Sequence, residues 1–266
     1  MIDESDGLRA MRQSVETIEA ELRNIHDEPM IGFLVVWDGR LWLRKPNGTW
    51  PEVLGCRLGQ SWLNVAETVA GSEASGATDL NGAPIETAGG PPLVRVGQTS
   101  AVDGLPIRDL DEAIASELAF SLWTRRRDAG AWNRVYLEGV PVFFDHHIAF
   151  GTEDDHRSLD GFFKRGSNGG HASQWRLKRL ENGEVPTTMG ERALPREHGV
   201  HRIRSADEFE RHLDRAIEKI QGISDAELRA AVSLSDAPAW VSPLLTEWRD
   251  ELPLAVQRLR EVIQSD

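Results

Sequence analysis

The chain has 266 residues, enough for one large domain or two closely joined lobes, and 40% of them are apolar, enough for a sizeable core. Acidic side chains outnumber basic ones by 43 to 30, a formal charge of −13. A surface this negative repels phosphate backbones and argues against direct nucleic-acid binding. The single cysteine, Cys56, allows neither an intrachain disulfide nor a cysteine cluster for zinc. The acidic start lacks the basic and apolar stretches of a secretory leader, and no apolar run is long enough to span a bilayer. A cytoplasmic location is expected.

In chain order, Leu8, Met11, Val15, Ile18 and Leu22 step by three and four, the period of an amphipathic helix. Two strand-like runs follow, Ile31 to Trp37 and Leu41 to Arg44, joined by Asp38-Gly39, a strong hairpin signal. Lys45 closes the second. Val53, Leu54, Leu58 and Trp62 have helical spacing, with Pro51 suited to a first helical turn. Residues 64–70 read as a strand. Residues 71–92 are rich in Gly, Ala, Ser, Thr and Pro without periodicity and read as a mobile surface loop. Leu93 to Val96 is a short strand. Asp109 to Trp123 is a helix with acidic residues in its first turn, which suits the helix dipole. Arg134 to Leu137 and Val140 to Phe144 form a second hairpin across Glu138-Gly139. Residues 146–204 are polar and weakly patterned. Helices are expected over 205–221 and 224–233, and from about 239 to 264 with interruptions at Pro243 and Pro253. The order, a strand-rich half followed by a helix-rich half, predicts an α+β fold of two lobes, 1–97 and 98–266.

The stretch from Arg126 to Phe150 carries the chemical signal. Asp128 follows a helix, Asn133 lies five residues later, and Asp145 closes the next hairpin, twelve residues beyond. Phosphoryl transfer to a hydroxyl needs such a set. A carboxylate orients the nucleophile and accepts its proton. Mg²⁺, a hard cation, takes oxygen ligands from a carboxylate and an amide. Asp128 is then the base, and Asn133 and Asp145 are the metal ligands. Only four lysines occur, against 26 arginines (30 basic residues less four), and Lys45 is the sole one before Lys164. A compact point charge suits a tight phosphate site better than a planar fork. Glu52 lies on the following helix, where an ion pair with that lysine is expected.

These residues resemble a known family. Leu41-Trp-Leu-Arg-Lys45, with the helix led by Glu52, is similar to the amino-terminal lobe of HipA-like kinases. Asp128…Asn133…Asp145-His-His-Ile-Ala-Phe150 is similar to the catalytic and metal-binding motifs that HipA-like and phosphatidylinositol-3/4-kinase-like proteins share. The resemblance spans about residues 30–150. It implies a protein-kinase-like fold, ATP and Mg²⁺ as cofactors, and transfer of the γ-phosphate, in HipA itself to a protein serine. Lys45, Glu52, Val94 and Val96 become the expected nucleotide-binding residues. A protein substrate or regulator becomes the expected partner. The chain departs from the family pattern in having no Gly-x-Gly-x-x-Gly before Lys45, and in a longer, looser segment between Val69 and Leu93.

Other features have plainer readings. His146, His147 and His156 with Asp154 and Asp155 match no zinc-ligand spacing. Lys164, Arg165, Arg176, Lys178 and Arg179 read as a solvated basic face, or as a surface for docking substrate or binding phosphate. Three functions follow from the same core: a protein Ser/Thr kinase, a kinase of a small molecule or lipid headgroup, and a nucleotide-binding pseudokinase acting as an interaction module.

Overall fold

The computed structural model describes residues 34–45, 50–87, 92–95, 105–126, 134–137, 140–143, 146, 149–151, 158–159, 162 and 206–264. The helix expected over 8–24 and the basic cluster of 164–179 lie outside them. The described residues form an antiparallel sheet and a mostly helical remainder, an α+β architecture. They divide into two compact units, one drawn from 1–49 and 66–101, the other from 50–65 and 102–266. Residues 50–65 belong to the second unit, whereas a division into 1–97 and 98–266 assigns them to the first.

In the first unit, β1 (Leu34–Trp37) and β2 (Arg40–Arg44) form a hairpin with Trp37 opposite Arg40. Asp38 and Gly39 both have positive φ, 49° and 66°. A two-residue turn with both residues left-handed twists in the sense that paired strands require, which is why Asp-Gly is favoured there. β4 (Leu93–Arg95) pairs with β2, and β3 (Thr68–Val69) with β4, giving the order β1-β2-β4-β3. Val35, Trp42, Ala74 and Leu93 make a small core, with Trp37 edge-on to Trp42 at 5.2 Å.

Residues 71–87 differ from the surface loop expected there. Val36 and Thr78 exchange backbone hydrogen bonds at 2.8 and 2.9 Å along the outer edge of β1. Asp79 accepts from the amides of Asn81 and Ala83, and Gly82 takes φ 85° to complete the turn. Ala74, Ala77 and Thr87 are buried, and the Thr87 hydroxyl donates to the Ala74 carbonyl. Turn chemistry and small side chains hold this segment, and neither produces a hydrophobic period.

The second unit begins with α1 (Trp50–Gly59) and continues with α2 (Leu110–Trp123). Asp109 caps α2 by accepting from the amides of Asp111 and Glu112, satisfying donors that have no partner within the helix. Nearly every α2 residue is buried, so the helix is covered on all sides. β5 (Arg134–Leu137) and β6 (Val140–Phe143) form the expected hairpin, with Arg134 opposite Phe143. Among the described residues, three helices follow: α3 (Ala206–Gln221), α4 (Asp225–Leu234) and α5 (Val241–Gln264). One core joins Leu54 and Leu58 of α1, Phe120 and Trp123 of α2, Phe209 and Leu213 of α3, and Leu245 and Trp248 of α5. The Trp123 indole donates to the Leu245 carbonyl at 3.0 Å.

α5 is continuous where its two prolines suggested breaks. Pro243 sits in the first turn, where its missing N–H has no helical role. Pro253 lies in the interior and removes a helical hydrogen bond. The flanking Leu252, Ala255, Val256 and Leu259 are all buried, and this packing outweighs the loss.

Candidate active site

Of the residues singled out from the sequence, Asp128, Asn133, Asp145 and Val96 lie outside the described residues. Lys45 directly follows β2 in the first unit. It is half-buried, and its amide donates to the Pro92 carbonyl at 3.1 Å. Val94 on β4 is buried between its strand partners Leu43 and Thr68. Glu52 is in the second unit, in the first turn of α1, and only 1% exposed. Its Oε2 accepts the amide proton of His146 at 3.0 Å.

That bond ties α1 to the residue directly after Asp145. The imidazole of His146 is also fixed. It lies edge-on to Phe120 with ring centres 5.6 Å apart, and it rests against Gly55 so closely that a Cβ there would fall 2.5 Å from its Cγ. Gly55 follows Glu52 by three residues, so both face the same neighbour from one side of α1. The His146 carbonyl accepts from Ala149, which begins a turn through Phe150 and Gly151 at φ 60° and 66°. His146 therefore has a positioning role in the backbone. Among the described residues, no group of three or more His, Cys, Asp or Glu side chains could hold a metal ion.

Asn64 fixes the hairpin from the other side. It is fully buried. Its amide nitrogen donates to Ile107 and Pro141 carbonyls at 2.8 and 3.2 Å, and its Oδ1 accepts from the Ile107 amide at 3.0 Å. The Asn64 carbonyl accepts from Phe143 at 2.7 Å. A buried side chain with its hydrogen-bonding capacity this fully used specifies one arrangement of the three segments it joins.

The exit from α2 carries two buried charges. Arg126 faces Glu117 at 3.5 Å, both essentially without exposure, and its amide donates to the Ser121 carbonyl. Arg125 has φ 54°, a left-handed conformation that non-glycine residues seldom adopt. Its guanidinium donates to the Leu122 carbonyl at 2.9 Å and to Glu251 at 2.8 Å. It also lies 5.7 Å from the Phe162 ring centre and 5.5 Å from that of Trp248. Burial pulls its pKa down to about 10, and the Glu251 carboxylate opposes that fall. The group stays cationic at neutral pH.

Sequence reading did not find Asn64, Gly55, Arg125 or the Arg126–Glu117 pair. Asn64 begins the stretch read as a strand, and neither Gly55 nor the two arginines carries a spacing that singles it out. Two charged residues closing a strongly apolar helix are the one signal that was present. No family model matches the chain, and neither the curated proteins nor the solved structures contain a significant match to it.

Proposed function

We propose that the chain is an ATP- and magnesium-dependent phosphotransferase of the HipA-like, two-lobed type, carrying the γ-phosphate of ATP to a hydroxyl of a protein serine or threonine. The observation that carries the reading is the set Asp128, Asn133 and Asp145 on either side of a paired hairpin. Asn133 directly precedes Arg134 and Asp145 is the second residue after Phe143, and Arg134 pairs with Phe143. The chain ends leading to the amide and to the carboxylate thus meet at one edge of the hairpin. The hydrogen bond from His146 to Glu52 supports the reading from the other side, because it links the helix led by that glutamate to the neighbour of Asp145.

In this reading Asp128 orients the acceptor hydroxyl and takes its proton as the oxygen attacks the γ-phosphorus and ADP departs. Asn133 and Asp145 offer an amide and a carboxylate oxygen, the donor chemistry that magnesium accepts. Held by those two side chains, magnesium would supply positive charge to offset that of the phosphates. Lys45 supplies a point charge to the phosphates, and Val94 and Val96 line the nucleotide.

One sequence feature favours a second reading, a nucleotide-binding pseudokinase: no Gly-x-Gly-x-x-Gly precedes Lys45. Radiolabelled ATP with magnesium, added to cell lysate with wild type or Asp145→Ala, separates the two. Label that appears with wild type and disappears with Asp145→Ala and Asp128→Ala supports the transferase, and the labelled fraction gives the acceptor class. ATP binding without transfer to any component supports the pseudokinase.

A further inference from the structure

α2 ends in a turn that is costly for the residues forming it. A helix usually stops on glycine when the chain must turn left-handed, since a Cβ is disfavoured there. Here that position is Arg125, and its charge is wholly removed from water. A stop signal alone needs neither feature. The guanidinium also acts as a tether, reaching back to the Leu122 carbonyl and outward to Glu251 on α5, 126 residues later in the chain. Aromatic rings of Phe162 and Trp248 lie against it, a contact that planar, weakly hydrated arginine makes well. The adjacent Thr124 carbonyl accepts from the amide of Phe150, itself at φ 60°. One left-handed residue, five positions after Asp145, is therefore bonded to the neighbour of the other, which lies three positions before Asp128. Strain concentrated in this way persists only where the surroundings over-determine it, as at functional sites.

We propose that Arg125 is a positioning residue for the catalytic loop and that Glu251 is its anchor, so that α5 sets where the chain leaves α2 on its way to Asp128. The proposal rests on the reading of Asp128 as the base. Arg125 touches no substrate and acts through the backbone that follows it.

The test uses the full chain and two variants. Arg125→Gly keeps the left-handed turn and removes the anchor. Glu251→Gln keeps the shape of the anchor and removes its charge. Both are expected to lower kcat for ATP turnover, Arg125→Gly by roughly ten- to a hundredfold, with KM for ATP unchanged. Amide hydrogen exchange is expected to quicken over residues 127–133 while α2 and α5 keep their wild-type protection. Wild-type kcat and exchange in both variants would overturn the proposal. So would exchange that quickens evenly through α2 and α5, which is the mark of a purely structural role. If wild type itself transfers no phosphate, the kinase reading falls, and the exchange pattern alone decides whether Arg125 governs the segment after it.

Discussion

Gly55→Ala gives a sharp test of how α1 holds His146. In an ordinary helix interior the change stabilises by about 0.5–1 kcal/mol, because alanine loses less backbone freedom on folding. At Gly55 the new methyl would lie 2.5 Å from His146 Cγ, 2.6 Å from Cδ2 and 2.9 Å from Cβ. Carbon atoms in contact prefer about 3.5–4.0 Å, so the overlap is about 1 Å over much of the side chain. The imidazole cannot easily withdraw, since Phe120 lies against it and Glu52 holds its backbone amide. Overpacking of this kind costs about 1–3 kcal/mol. The net expectation is a loss of about 1–2 kcal/mol, or a fall in Tm of roughly 2–8 °C. Urea and thermal unfolding followed by tryptophan fluorescence would measure it. The double variant Gly55→Ala, His146→Ala removes the obstacle, and its loss should be smaller than the sum of the two single losses. A Gly55→Ala protein more stable than wild type, or a double variant showing simple additivity, would refute the contact.

Two further outcomes follow from buried and capping charges. Glu117→Leu removes the carboxylate that faces the buried Arg126 guanidinium and should cost about 1–3 kcal/mol in chemical unfolding, whereas adding Arg126→Met should recover part of the loss. Equal stability of the single and double variants would show that the pair is not coupled. On α4, Ser224 and Glu227 form a reciprocal cap in which the Glu227 carboxylate accepts from the Ser224 hydroxyl and amide. The side-chain bond first, and the backbone bond second, hold Glu227 below its usual pKa of 4.5. A lowered folded-state pKa gives stability that is fully present above the unfolded value and is lost as pH falls through the folded one. The difference in urea midpoint between wild type and Glu227→Gln should therefore be present at neutral pH and shrink below pH 4.5. A difference independent of pH would contradict this cap.

Much of the local structure was legible in the residues themselves. Asp38-Gly39 specified its hairpin because few residues accept two consecutive left-handed conformations. Asp109 and Ser224 marked helix starts through bonds made within three residues. Short apolar runs beside turn residues located β1, β2, β5 and β6, and helical apolar spacing located α1. Prolines misled in α5, because a local rule about helix breaking was overridden by packing along the whole helix.

The sequence by itself also supplied the order of aspartate, asparagine and aspartate, with a hairpin between the last two, on which the proposed chemistry rests. Tertiary structure alone decided that α1 packs with the helical unit, that Gly55 must lack a side chain so that His146 can lie against it, and that Arg125 is held by Glu251. Each of these depends on atoms brought together over many residues, 94 from Glu52 to His146 and 126 from Arg125 to Glu251. Spacing in sequence carries information only about neighbours along a helix or across a short turn. Contacts closed over such distances are set by which surfaces exclude water together, and no residue announces its partner in advance.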